Sequence, residues 1–218
     1  MEFFNKFIFG SLIIILMHIL IVASGRIGKK PFYRNIIKKA DKVIAADGGA
    51  DNCIKLGINP DYVIGDFDSI SAKARNRFKN VMVHDKNQDT TDMEKAMALA
   101  KKLECTKLTI IGAIGSRIDH TISNIINLSK AKVHAEIFDE ANSIFMVDGQ
   151  IELTGKKDDI VSVIPVSKVT GLTYKGLKWG LKDKNIDTGW IGVSNRMTGN
   201  KASIMLKSGK VIVIKSRD

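Results

Sequence analysis

Hydrophobic and polar positions fall into two textures along the chain. Over the first two thirds, short continuous apolar runs alternate with segments whose apolar residues recur at helical spacing. MHILIVA (17–23), KVIAA (42–46), YVI (62–64), VMVH (81–84), LTII (108–111) and 133–138 read as strands. Runs that are apolar at every position, rather than at alternate ones, suit strands buried on both faces, as in a parallel sheet. Between them lie helical segments at 31–40, 49–56, 71–78, 91–103 and 119–128. Pro31 opens the first and Gly57 closes the second. The clearest is 91–103: Thr91 and Glu94 have capping-box spacing, and Met93, Ala96, Met97, Ala100 and Leu103 form one apolar stripe.

From about Asp148 the texture changes. Strand-like runs at 150–154, 160–165, 172–174, 191–193, 202–206 and 211–214 are separated by glycines or polar clusters, and no helical stripe recurs. The expected organisation is a Rossmann-like parallel α/β domain over 17–147, followed by a small antiparallel β-sandwich over 148–218.

The apolar run Phe7–Ala23, preceded by Lys6 and followed by Ser24-Gly25, has the outline of a signal peptide and nearly the length of a membrane span. His18 in its middle would be costly in lipid and suits the start of a strand. The run is therefore split at Met17. Residues 1–16 are expected to be an extension without a core role, consistent with initiation at Met17.

Composition narrows the classes. Of 218 residues, 44% are hydrophobic and 26% charged, which supports a buried core and excludes a disordered chain. The two cysteines, Cys53 and Cys105, fit no metal-ligand spacing and exclude a disulfide scaffold; both read as small buried apolar residues. The formal net charge of +11 is spread along the chain rather than gathered in a block. Such a diffuse field favours polyanions, nucleotides among them, without marking a nucleic-acid face.

Polar clusters follow the strands. Asp47-Gly48-Gly49 follows KVIAA, and Asp66-Phe67-Asp68-Ser69 follows YVIG. Residues 88–92, from Gln88 to Asp92, follow VMVH, and residues 115–120, including Arg117, Asp119 and His120, follow LTIIG. In an open parallel sheet these points share the carboxyl edge, where ligands bind. Converging carboxylates repel one another unless cations lie among them. Oxygen donors without a His/Cys set favour Mg²⁺ over zinc. Asp66 and Asp68, two apart in an extended segment, would reach one side. Asp92 lies in the first turn of its helix, where backbone N–H groups face an anion. Carboxylates, a metal, a helix N-terminus and Arg117 describe a polyphosphate site. No GxxxxGK[ST] loop is present, which excludes a Walker-type ATPase.

The string ADGGADNCIKLGINPDYVIGDFDSI (46–70), then QDTTDMEKA (88–96), then GAIGSRIDHTISNI (112–125) closely resembles the thiamine pyrophosphokinases. GLKWGL (176–181) and GVSN (192–195) are similar to that family's carboxy-terminal domain. The resemblance implies transfer of diphosphate from ATP to the hydroxyl of thiamine, releasing AMP, with Mg²⁺. It further implies a homodimer with sites between subunits. It assigns Asp66, Asp68 and Asp92 as Mg²⁺–diphosphate carboxylates. It makes Asp47, Gly48, Gly49, Gln88, Asp89, Thr91, Arg117, Asp119 and His120 nucleotide- or substrate-positioning groups. Trp179, Ser194 and Asn195 become thiamine contacts, an aromatic face suiting a cationic thiazolium. Arg196 departs from the pattern, in which an acid often follows Ser-Asn. An enzyme that needs ATP is expected in the cytoplasm, with neither a membrane nor a nucleic acid as partner. The alternatives are another Mg²⁺-dependent nucleotide phosphotransferase and a non-catalytic nucleotide- or nucleic-acid-binding module.

Overall fold

A computed structural model describes residues 5–9, 12–115, 117–190 and 192–217; expectations for residues 1–4, 10, 11, 116, 191 and 218 lie outside them. The chain divides into two compact units, one through Asp139 and the other from Glu140.

In the first unit, β3 (His18–Val22), β4 (Lys42–Ala46), β5 (Tyr62–Gly65), β6 (Met82–His84), β7 (Lys107–Ile111) and β8 (His134–Phe138) pair in parallel in the order β8-β7-β3-β4-β5-β6. Helices α1 (Lys30–Lys39), α2 (Gly49–Leu56), α3 (Ala72–Phe78), α4 (Asp92–Lys102) and α5 (Ile118–Asn127) form the connections. Continuous apolar strands produce this because a strand with neighbours on both sides and helices over its faces has no solvent-facing position. Ile19, Leu20, Ile21 and Val22 are accordingly all fully buried. Residues 19–23 thus lie in the sheet's core, while Met17 and His18 are half-buried. His18 begins β3, with Nε2 2.9 Å from Thr109 Oγ1 and Nδ1 3.0 Å from the Lys39 carbonyl. The preceding strands β1 (Asn5–Phe9) and β2 (Leu12–Leu16) pair antiparallel with each other. Among the described residues no helix is long and apolar enough to cross a membrane.

Strand order reverses beside β3: the chain moves outward through β4, β5 and β6, then returns to β7 on the other side. The loops after β3 and β7 therefore diverge, leaving a crevice at the carboxyl edge. Three bonds set the loop after β3. Gly25 N–H donates to the Gly112 carbonyl at 2.7 Å, Arg26 N–H donates to that of Ile114 at 2.8 Å, and the buried Asn52 amide donates to the Ala23 carbonyl at 2.7 Å. Gly49 is required for packing: a Cβ there would lie 1.9 Å from the Val22 carbonyl oxygen.

The second unit contains two antiparallel groups of strands. One has the order β14 (Gly192–Arg196), β11 (Ile160–Pro165), β16 (Val211–Ser216), β9 (Asn142–Val147). The other has the order β10 (Gln150–Thr154), β15 (Lys201–Met205), β12 (Val169–Lys175), β13 (Leu181–Ile186). Val161 and Val213 from the first and Leu172 and Ile204 from the second belong to one buried cluster. Asn142–Val147 lies before the change of texture yet belongs to this unit, because its whole length pairs with β16. Cys53 is buried, which pushes its thiol up to about 12, whereas Cys105 is only half-buried.

Candidate active site

The crevice beside β3 has a volume of about 420 Å³, and its walls include Asp47, Thr91, Asp92, Asp119 and His120. Ser69, from the polar cluster after β5, lines it as well, as do Ser24, Ser123 and Asn124, which were assigned no role from sequence.

Asp47 directly follows β4 with φ 41°, an uncommon conformation for a residue with a Cβ. Its side chain is buried: Oδ2 accepts from Ser69 N–H at 3.2 Å, and Oδ1 has no hydrogen-bond partner. Burial, reinforced by repulsion from Asp92 and Asp68, raises its carboxyl above the ordinary value. Carboxylate oxygens of Asp47, Asp66 and Asp68 lie within 4.8 Å of one another. An orphaned buried oxygen inside an oxygen-only trio fits a hard divalent cation.

Asp66 and Asp68 do reach one side, but not through an extended segment. Phe67 between them is left-handed (φ 68°), and the chain turns there, with Asp68 N–H donating to Asp66 Oδ1 at 3.2 Å. The turn is held because Phe67 is buried and stacked on His84 at 5.2 Å, while Arg75 donates to its carbonyl. Gln88 joins the group by donating to Asp66 Oδ2 at 3.2 Å. That bond is the largest influence holding the Asp66 carboxyl below its ordinary value. Asp89 stands next in this loop, its N–H on Asn87 Oδ1 at 2.9 Å.

Asp92 opens α4. The capping box is complete, with Glu94 N–H donating to Thr91 Oγ1 and Thr91 N–H donating to Glu94 Oε2 at 2.9 Å. This fixes the helix start, and with it Asp92, at the crevice. Asp92 Oδ1 accepts from Lys95 Nζ at 3.1 Å. Gly65 keeps the approach narrow: a Cβ there would lie 3.1 Å from Asp92 Oδ1 and 3.2 Å from Asp47 Oδ1.

At the start of α5, Arg117 forms a fork with Asp119, Nε to Oδ1 at 3.2 Å and a terminal nitrogen to Oδ2 at 2.6 Å. That bond, aided by His120 N–H, holds the Asp119 carboxyl at about 2. Arg117 is therefore committed to its own turn rather than to the carboxylate trio. Gly48 lies beside Ser24 and Ser69, where a Cβ would meet the Ser24 Cβ at 3.2 Å.

In the second unit, Trp179 is 56% exposed, with Lys178 Nζ 5.0 Å from its ring centroid. Asn195 is buried and its amide is spent on the Trp179 backbone. Its Oδ1 accepts from Trp179 N–H at 3.0 Å, and its Nδ2 donates to the Trp179 carbonyl at 2.7 Å. Asn195 thus sets where Trp179 stands instead of presenting its own amide. Ser194 is exposed and left-handed (φ 61°), its N–H on Ser162 Oγ at 3.2 Å.

The chain is similar to known proteins along most of its length. The family model described as "Thiamin pyrophosphokinase, catalytic domain" matches residues 33–138. That described as "Thiamin pyrophosphokinase, vitamin B1 binding domain" matches residues 149–211. The thiamine pyrophosphokinase of Bacillus subtilis (strain 168) is 29% identical over 188 residues, which are 80% of this chain and 87% of that protein. Thiamin pyrophosphokinase 1 of Caenorhabditis elegans is 27% identical over 199 residues, 82% of this chain and 80% of that one. The crystal structure of the Bacillus subtilis thiamine pyrophosphokinase superposes with a TM-score of 0.83 at 26% identity, covering 92% of this chain and 99% of that chain. The Geobacillus thermodenitrificans structure gives 0.82 at 28% identity, covering 93% and 98%. Both family domains follow one another along the sequence and together account for most of it, and this chain belongs to the thiamin pyrophosphokinase family.

Proposed function

We propose that the chain is an ATP:thiamine diphosphotransferase that makes thiamine diphosphate and AMP. The observation that carries this reading is the trio Asp47, Asp66 and Asp68 beside the crevice, in a chain that holds both family domains. The thiamine hydroxyl oxygen attacks the β-phosphorus of ATP, and its proton is released to solvent. The bond from that phosphorus to the α–β bridging oxygen breaks, and AMP leaves with the bridging oxygen.

Asp66 and Asp68, with Asp47 and Asp92, whose Oδ1 atoms both flank Gly65, are the residues that would hold Mg²⁺. When bound, the ion supplies neutralisation of the polyphosphate charge. The chain's own share is positioning and electrostatics. The N-terminus of α4, fixed by Thr91, directs backbone N–H groups at the diphosphate. Gln88 orients Asp66, and the backbone around Gly48 and Gly49 lets the nucleotide approach β4 closely. Arg117 reaches a phosphate by exchanging Asp119 for it, and Asp89, Asp119 and His120 position substrate. Trp179 and Ser194 contact thiamine, the indole facing the cationic ring, and Asn195 acts on thiamine through Trp179.

The same reading takes the first unit as Rossmann-like and the second as a β-sandwich, a view supported by the reversal beside β3 and by the cluster shared between the two groups of strands. It also takes the enzyme as a cytoplasmic homodimer with sites between subunits. The test is AMP formation from ATP with and without thiamine. Thiamine-dependent AMP supports the proposal. ADP would indicate a simple kinase, and salt-sensitive RNA binding without turnover would indicate a binding module.

A further inference from the structure

Lys95 is the one buried lysine among the described residues, only 5% exposed. It follows Asp92 by three residues on α4, and its ammonium lies 3.1 Å from Asp92 Oδ1. Two effects oppose a cation there. Burial strips its water, and the first turns of a helix carry the positive end of the macrodipole. An ammonium is stable in such a place only if carboxylates outweigh both effects. Those carboxylates belong to the crevice: Asp92 meets Lys95 directly, and Asp92 Oδ1 and Asp47 Oδ1 flank the same backbone point, Gly65.

We infer that Lys95 is a resident cation of the carboxylate cluster, a positioning residue that fixes Asp92 through Oδ1 and offsets part of the cluster's negative charge. This rests on the reading of the crevice as a metal–polyphosphate site. Four carboxylates without a counter-charge would hold a divalent ion tightly whether or not nucleotide is present. With Lys95 in place the empty crevice holds such an ion weakly, and the polyphosphate brings the charge that completes binding. Asp92 then keeps one orientation throughout, because its partner is part of the fold.

The probe is Mn²⁺, titrated without nucleotide and followed by electron paramagnetic resonance on the full chain. Lys95→Met keeps the length of the side chain and removes its charge; Lys95→Gln is the second variant. Both are expected to bind Mn²⁺ at least about three-fold more tightly than the unaltered chain, the floor set by losing one nearby charge even at high dielectric. Both should also show lower kcat with little change in the KM for thiamine. A purely structural lysine would lower activity without tightening Mn²⁺. Mn²⁺ binding that is unchanged, weaker, or absent from all three proteins would overturn the inference. Unfolding of both variants would overturn it too, by assigning Lys95 to the core. If the unaltered chain makes no AMP while Mn²⁺ still tightens, the functional reading fails and Lys95 keeps its role.

Discussion

Two acidic groups border the crevice, and they differ in what balances them. At the start of α5, Asp119 is neutralised within its own turn by Arg117, and its carboxyl sits at about 2. At the ends of β4 and β5, Asp47, Asp66 and Asp68 crowd within 4.8 Å, and buried Asp47 Oδ1 is left without a hydrogen-bond partner. A carboxylate whose partner lies two residues away is explained by local structure. A buried one without a partner is costly unless something outside the chain completes it. The contrast leaves an unpartnered buried oxygen at the β4–β5 rim and a self-contained pair at the α5 rim.

The largest test of that contrast is Asp66→Asn or Asp68→Asn. Each is expected to lower kcat by on the order of 10²–10³, with an unchanged melting curve because neither side chain is in the core. Near-normal turnover would erase the distinction between the rims. Asp47→Asn should separate stability from function. The folded Asp47 carboxyl titrates above its unfolded value, so its protonated form favours the fold and that contribution is lost as pH rises through the raised value. The amide avoids the loss. The variant should therefore melt higher than the unaltered chain at pH 8, and the advantage should fade near pH 4 in parallel melts. Its activity should fall. Mg²⁺ should raise the melting temperature of the unaltered chain more than that of Asp68→Asn. The smallest effect belongs to Asp119→Asn. A depressed carboxyl contributes stability above the ordinary range and loses it as pH falls toward about 2. Being exposed and salt-screened, the pair should leave the melting curve at pH 7 almost unmoved. A loss as large as the Asp47 effect would break the comparison.

What could be read from sequence follows the same division between local and non-local causes. Strands β3, β4, β5 and β7 are largely continuous apolar runs, and the Thr91–Glu94 box is a spacing of three, so both were legible. Lys95 was not: a lysine beside an apolar stripe reads as solvent-facing, and its burial follows from the packing of α4 on β3, β4 and β5. The left-handed Phe67 was also hidden, because positive φ is signalled by Gly, Asn or Asp and here is imposed by packing on His84. Strand β13, LKDKNI, is an edge strand with exposed polar positions and gives no alternation to detect. The hold of Asn195 on Trp179 joins a side chain to backbone sixteen residues away, which no local pattern encodes.

The most direct measurement is a ³¹P nuclear magnetic resonance spectrum of the purified chain with ATP, thiamine and Mg²⁺. Transfer of an intact diphosphate predicts paired resonances of thiamine diphosphate growing in step with AMP, and neither without thiamine. Growth of ADP with thiamine monophosphate, or of AMP with free diphosphate regardless of thiamine, would contradict it.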